Sequence, residues 1–236
     1  MSAPTAGRGN AGPPVRSARR DPTTAFALIE LLAVTVIALI LAGLMLPALF
    51  RAGPAAAGLR CRGNLRQWGI ATSLFTAENN DYLPKDGALG GQSTREGWYV
   101  DLPRVMGIPT YAEQPWRTNP AATPVNSIWI CAANRRRSNG HNLFHYCLNG
   151  GVNGGGAGRQ ILLGQIPKPS LTVWLFDNGR LAAVGNQNWV HTNLHSQGAQ
   201  FLFLDGHVAR HRNQDYWNFL MNLGRTDNPS LLWRPD

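Results

Sequence analysis

The chain has 236 residues, 44% of them hydrophobic and 15% charged, which allows one large domain or two small ones with a real core. Its formal net charge is +9, but the arginines are scattered and only residues 135–137 form a run. This distribution is typical of a solvated basic surface, so no nucleic-acid partner is expected. The three cysteines lack Cys-x-x-Cys spacing, which argues against a zinc site built from cysteines alone.

An apolar segment near the N-terminus is the first strong feature of the chain. Residues 26–50 contain a single charged side chain, Glu30. As a helix they would extend about 37 Å, enough to cross a hydrocarbon core of about 30 Å. The sequence therefore predicts a transmembrane segment over 26–50, preceded by a basic leader peptide over 1–25. A cleavable secretory signal is the alternative, but its apolar region is usually about 7 to 15 residues long.

After the membrane segment the pattern becomes amphipathic, which predicts that the helix continues over 51–80. The residues of the predicted buried face recur at spacings of four and three: Cys61, Leu65, Trp68, Thr72 and Phe75. The helix is expected to end near Glu78, and Gly53-Pro54 is expected to bend or interrupt it. An apolar helical face of this kind must pack against another apolar surface, and the rest of the chain is expected to provide that surface.

Residues 81–236 predict an α+β head domain with a small antiparallel β-sheet. Short aromatic and branched runs between turns are typical of strands, and four such runs occur: WYVDL, SIWICA, LTVWLFD and AQFLFLDGHVA. In the last of these, Asp205-Gly206 predicts a hairpin with a two-residue type I′ turn. The glycine-rich stretch 150–158 is interpreted as a flexible loop, because no strand signal precedes it and no helix signal follows it.

The candidate chemistry of the head is limited. His195, Asp205 and His207 are weak candidates for metal ligands, with His207 and His211 on one face of the second strand of the hairpin. No nucleophile with a neighbouring base is visible, so the chain is not expected to be an enzyme, and no cofactor is expected. If the head lies outside the cytoplasm, a disulfide between Cys131 and Cys147 is the simplest pairing.

The segment FALIELL, which begins at Phe26, resembles the processing site of type IV prepilins and of the pseudopilins of type II secretion. In that family a prepilin peptidase cuts just before the Phe, and the new N-terminus is methylated. Glu30 would be the fifth residue of the mature chain and Pro47 the twenty-second, the positions at which the family has Glu and Pro. This chain has Ala25 where the family usually has Gly.

The C-terminal half carries a second resemblance. His195, nine intervening residues and Asp205-Gly206 are similar to the signature of a bacterial prepilin-type family named for its His-X9-Asp-Gly motif. The segment CRGNLRQWGIATSLFTAENNDYLP, from Cys61 to Pro84, resembles that family's helix after the membrane segment. The resemblance implies that His195 bonds to the Asp-Gly turn and pins it.

The two resemblances together imply a pilin-like or pseudopilin structural subunit of a type II secretion or type IV pilus-like envelope assembly. Its expected partners are prepilin peptidase, other pilin-like subunits, the assembly machinery and the membrane. It is expected in the cytoplasmic membrane as a single-pass protein, with its N-terminus cytoplasmic and the head extracytoplasmic. Two other classes stay open: a binding module on a pilin-type anchor, recognising glycans through exposed Trp, and a metal-dependent enzyme.

Overall fold

The structure is a computed structural model that describes residues 28–122, 124, 127–153 and 159–235, without the side chains of 46–52 and 54. The chain divides at Pro47 into two compact units, which are described separately. The predicted leader lies outside the described residues.

Helix α1 comprises Leu28–Glu78. Its stretch Leu28–Met45 has a mean hydropathy of 2.6, and none of it is buried within the chain. Among the described residues this is the one helix apolar and long enough to span a membrane, as the sequence predicts. The helix continues through Gly53-Pro54, so a break at this point is wrong.

The second half of α1 presents the predicted apolar face to the head. All five residues of that face are buried: Cys61, Leu65, Trp68, Thr72 and Phe75. The helix ends at Glu78 as predicted. Asn79 Nδ2 caps it by donating to Phe75 O over 2.8 Å, and Asn80 and Asp81 then turn the chain with φ values of 54° and 66°.

The head contains seven short strands and two further short helices within its described residues. The helices are α2 (Trp98–Val105) and α3 (Asn213–Tyr216). The strands are β1 (Tyr146–Asn149), β2 (Val173–Asp177), β3 (Val184–Gly185), β4 (Gly198–Phe203), β5 (Val208–Arg212), β6 (Trp217–Asn218) and β7 (Leu223–Gly224). Single turns of 3-10 helix occur at Tyr111–Glu113, Leu163–Gln165 and Gln187–Trp189. The α+β class is therefore confirmed.

Two of the four predicted strands are wrong. WYVDL forms the first part of α2, and SIWICA is irregular. In α2, Trp98, Tyr99 and Val100 are all fully buried. Helical geometry lets these consecutive large residues enter one core, whereas a strand would point alternate residues to opposite faces. Packing thus overrides the strand preference of aromatic residues.

The main sheet has the strand order β3-β1-β2-β4-β5. Its pairs are antiparallel except β1–β3, which is parallel, so the sheet is mixed rather than purely antiparallel. The chain leaves β2, passes the end of β1 and returns as β3 on the far side of β1, where it runs in the direction of β1. Asn178 fixes this crossing, because its Nδ2 donates to Phe144 O over 2.9 Å and to Ala182 O over 2.6 Å.

The β4–β5 hairpin is confirmed, but its turn is not the predicted two-residue type I′ turn. Gly206 N donates to Phe203 O over 2.9 Å, and Phe203 N donates to His207 O over 3.0 Å. The loop therefore has three residues, 204–206, and within it only Gly206 is left-handed, with φ of 86°. Leu204 N donates to Thr172 O over 3.1 Å, and the Leu204 side chain is buried in the core. Placing Leu204 in this way takes one residue more than the predicted two-residue turn.

Aromatic residues from all parts of the head form the core between α1 and the sheet. Trp68 of α1 packs edge-on against Trp98 of α2 at 5.5 Å, and Tyr111 stacks on Phe144 at 3.7 Å between ring centroids. Seven of the eight Trp side chains are buried and Trp189 is half-buried. The expectation of exposed Trp residues is therefore wrong, and Trp189 alone is partly accessible.

The disulfide joins Cys61 to Cys131, 70 residues apart, and Cys147 is a buried free thiol. The predicted Cys131–Cys147 pairing is therefore wrong. Neighbouring residues of a strand point to opposite faces. In β1, Tyr146 and Leu148 face the core that contains Cys61 and Cys131, whereas Cys147 belongs to the cluster on the other side of the sheet.

Replacing Cys131 with Ser should lower the free energy of unfolding by about 2–5 kcal/mol. The disulfide joins residues 70 positions apart, and without it the unfolded chain gains conformational entropy. Chemical denaturation of the detergent-solubilised chain measures the loss. Cys147→Ala is the matched control and should preserve the Cys61–Cys131 peptide pair in a non-reducing digest. A non-reducing digest that joins Cys131 to Cys147 would contradict the fold.

Candidate functional site

The motif residues that the sequence singles out lie in different places. Ala25 and Phe26 fall outside the described residues, and Glu30 lies in the first turn of α1. Asp205 and Gly206 form the β4–β5 turn, whereas His195 lies in the loop that precedes β4. Only His195 is buried at the junction between α1 and the head, so it defines the candidate site.

His195 does not bond to the Asp-Gly turn, so its predicted role as the pin of that turn is wrong. Its Nε2 lies 3.1 Å from Asp177 Oδ2 and 3.5 Å from Cys131 Sγ. Asp205 Oδ1 instead accepts from the backbone N of His207 over 3.0 Å and lies 2.6 Å from His207 Nδ1. The turn is fixed from another side, because Arg66 of α1 donates to Gly206 O over 3.0 Å.

An unusual loop conformation directs the His195 side chain inward. His195, Ser196 and Gln197 have φ values of 47°, 61° and 63°, three consecutive left-handed residues that are not glycine. Each such residue costs on the order of 1–3 kcal/mol, so the surroundings must hold the loop in place. Arg210 Nε donates to His195 O over 2.6 Å, and Asn213 N donates to Gln197 O over 2.9 Å.

Asp177 ends strand β2 and is completely buried. Its Oδ2 accepts from Gln200 N over 2.7 Å in addition to lying beside His195. Gln200 in turn reaches α1, since its Nε2 donates to Gly58 O over 2.7 Å. One connected polar group therefore joins β2, β4, the loop at His195 and the helix.

Several buried polar atoms of this group have no hydrogen-bond partner within the described part of the chain. They are Asp177 Oδ1, His195 Nδ1, Gln200 Oε1 and the Nδ1 of neighbouring His145. Burial lowers the pKa of His145 to about 4, so this imidazole is neutral at pH 7. Native proteins satisfy nearly all buried polar groups, so these four atoms make the region a candidate site.

The only group of metal-type ligands in the described residues is Cys61, Cys131 and His195, whose ligand atoms all lie within 4.8 Å of one another. In the disulfide form these sulfurs are bonded to each other and are not thiolates. The candidates Asp205 and His207 do not join His195 in any such group. His207 stacks on Phe203 at 4.3 Å, and His211 also packs on that ring, as expected for two histidines on one face.

The head also has a cleft of about 900 Å³ at the β3 edge of the sheet. It is lined by Asp86, Asn149, Gly150, Trp189, Trp233 and Arg234, among others. Asp86 is only 3% exposed, burial raises its pKa to about 6, and Asn153 Nδ2 donates to its Oδ1 over 2.7 Å. Trp189 lies against Gly185, where a Cβ would fall 2.5 Å from the indole ring.

Comparison with models of protein families, with curated proteins and with solved structures finds no match to this chain. The site is therefore interpreted from its own geometry. Sequence reasoning missed Asp177 as the partner of His195, and Gln200 as a further partner of Asp177. The available signal was the carboxylate that closes the apolar run LTVWLFD, since a charge at the end of a buried strand needs a partner.

Replacing Asp177 with Asn should lower the free energy of unfolding by about 3–5 kcal/mol, because it breaks a buried pair and places an amide NH2 where Asp177 Oδ1 has no partner. Asp205→Asn, at the exposed turn, should cost about 1 kcal/mol or less. Chemical denaturation of both variants in detergent measures the difference. Equal losses, or a larger loss for Asp205→Asn, would instead favour a turn pinned by His195.

Proposed function

We propose that this chain is a pilin-like or pseudopilin structural subunit of a type II secretion or type IV pilus-like envelope assembly, processed before Phe26. The observation that carries the proposal is the first half of α1. Leu28–Met45 has a mean hydropathy of 2.6, and no part of it is buried in the chain. Such a surface requires lipid or the apolar helices of other subunits.

The proposed location is the cytoplasmic membrane, with a cytoplasmic N-terminus and the head outside the cytoplasm. The charge count leaves the orientation open, but the Cys61–Cys131 disulfide supports an extracytoplasmic head. Disulfides persist in oxidising compartments and are rare in the cytoplasm. Cys61 belongs to α1, so the continuation of the helix lies in the same compartment as the head.

Glu30 has a defined role in this proposal. A carboxylate within an apolar helix is costly in lipid, about 2.5–3.5 kcal/mol at mid-bilayer on insertion scales. Cleavage before Phe26 would create a cationic N-terminus four peptide bonds from Glu30, on the same chain or on a neighbouring subunit. A charge pair between subunits would fix their axial register, as buried polar groups do in coiled coils.

The C-terminal part of the head offers a second surface for contacts between subunits. The β6–β7 hairpin exposes three consecutive large apolar side chains at its tip, Phe219, Leu220 and Met221, with 59%, 99% and 70% of their surface accessible. Contiguous exposed apolar residues are uncommon on monomers and favour burial against another molecule. In the proposed assembly the neighbouring subunit covers this tip.

A binding module on a pilin-type anchor is the alternative function, and the cleft at the β3 edge favours it. A half-buried indole, a buried carboxyl group and carboxamide side chains surround about 900 Å³, a volume typical of small-molecule sites. Aromatic faces and carboxylates are groups that hold sugars, so a glycan is the ligand class for this alternative. A binding module of this kind would be held at the membrane by its N-terminal helix and would not need to assemble with other subunits.

Co-expression with a prepilin peptidase should remove residues 1–25 and leave an N-methylated Phe26. Intact-mass spectrometry of the purified membrane form measures both changes. Ala25→Gly, which restores the residue usual in the resembling family, should give cleavage at least as complete as that of the natural chain. A membrane form that retains residues 1–25 in both proteins would overturn the processed-subunit proposal.

Glu30→Ala should abolish assembly while leaving the head folded, because the proposed charge pair between subunits is lost. Chemical cross-linking in membranes, followed by gel electrophoresis, compares the oligomer ladder with that of the natural chain. Glu78→Ala at the other end of α1 removes an exposed carboxylate of the same type and should leave the ladder unchanged. If the natural chain and Glu30→Ala are both monomeric, the binding-module alternative is favoured instead.

A further inference from the structure

We propose that the dithiol form of this chain binds one zinc ion through Cys61, Cys131 and His195, with Asp177 as the fourth ligand. The site lies where α1 meets the loop at Cys131 and the end of β2. All four side chains are buried, with both cysteines and Asp177 fully excluded from solvent and the His195 side chain 3% exposed. The inference is independent of the proposed envelope function.

The distances around His195 match the edges of a zinc tetrahedron. With Zn–N and Zn–O bonds of about 2.0–2.2 Å and Zn–S bonds of about 2.3 Å, tetrahedral ligands lie roughly 3.4 Å apart for N···O and 3.6 Å for N···S. His195 Nε2 lies 3.1 Å from Asp177 Oδ2 and 3.5 Å from Cys131 Sγ. The two sulfurs must separate to about 3.8 Å once they are no longer bonded to each other. The Asp177 carboxylate must also approach them, because the ligand atoms that lie within 4.8 Å of one another are those of Cys61, Cys131 and His195.

The ligands do not depend on the disulfide for their positions. His195 is fixed by its left-handed loop and by Arg210, and Asp177 by the β2–β4 pairing and Gln200 N. Asn64 of α1 donates to Ser127 O and Ile130 O over 3.3 and 3.0 Å, which holds the segment before Cys131 against the helix. The two thiols therefore stay close together after the S–S bond opens.

The charge of the site also suits a divalent ion. In the zinc form the two thiolates would carry two negative charges, which the two positive charges of the ion offset. Asp177 Oδ1 has no hydrogen-bond partner among the described residues, so no contact of that atom opposes metal binding.

Reduction of the disulfide and binding of zinc need no other residue of the chain. Opening the Cys61–Cys131 bond takes two electrons and two protons from a thiol or phosphine reductant and gives two thiols. Zinc binding then releases both thiol protons to solvent. A newly made chain carries thiols before oxidation and would need no reductant to bind the ion. The metal form and the disulfide form exclude each other, because both use the sulfurs of Cys61 and Cys131.

The full-length chain in detergent tests this with zinc chloride as the only probe. The protein is reduced with a phosphine under nitrogen, equilibrated with zinc, desalted and analysed for metal content. The reduced natural chain should retain about one zinc per chain, and the oxidised chain should retain less than a tenth of that. Cobalt substitution should add a thiolate-to-cobalt charge-transfer band and the visible bands of a tetrahedral ion.

Single variants identify the ligands. Cys131→Ser and His195→Ala should each weaken zinc affinity at least tenfold, measured by competition with a chromophoric chelator. Cys147→Ala is the matched control, since this buried thiol lies on the other side of the sheet and should leave the affinity unchanged. Equal affinity in Cys131→Ser and Cys147→Ala, or no retained zinc in the reduced natural chain, overturns the proposal.

Folding is followed by near-ultraviolet circular dichroism. This measurement distinguishes a variant that loses zinc because it unfolds from one that loses zinc because a ligand is missing. If the reduced chain loses its tertiary signal, zinc should restore that signal in the natural chain and in Cys147→Ala but not in His195→Ala. A reduced chain that zinc neither loads nor refolds also overturns the site. Either failure leaves N-terminal processing and Glu30-dependent assembly untouched, so the two proposals are separable.

Discussion

The burial of one face of α1 within the head is the constraint on which the rest of the head depends. The face from Cys61 to Phe75 supplies one side of the aromatic core, and Trp68 lies at its centre against Trp98. The sheet supplies the other side through Trp174, whose Nε1 donates to Thr72 Oγ1 over 2.9 Å. Without this helix part of the aromatic core, including Trp98 and Trp174, would be exposed to water.

The polar cluster at His195 sits at the beginning of that same buried face. A buried polar contact such as His195–Asp177 contributes little net stability, since desolvation of its groups offsets most of their attraction. The loop that carries His195 adds the cost of three left-handed residues. Desolvation, backbone strain and unpartnered polar atoms thus coincide at this one place in the head.

The sequence predicts those features that are determined locally. The spacing from Cys61 to Phe75 identifies the buried helical face, and the alternation around Asp205-Gly206 identifies the β4–β5 hairpin. The disulfide could not be predicted, because it depends on which side of the sheet Cys147 faces once β1 is paired. The His195–Asp177 contact likewise requires the order of strands, which places β2 next to β4. The helix at Trp98 was missed because burial in a shared core outweighs residue preference.

The covalent link at Cys61 has a mechanical consequence. In chain order the bond at Cys61 follows the Gly58–Gln200 hydrogen bond and precedes those at Asn64, Arg66 and Trp68. A force along the helix from its N-terminal side therefore reaches the S–S bond before these three, and the load passes to Cys131 and the body of the head. Beyond Cys61 the helix cannot separate from the head one contact at a time, so the covalent bond distributes the force over the whole head.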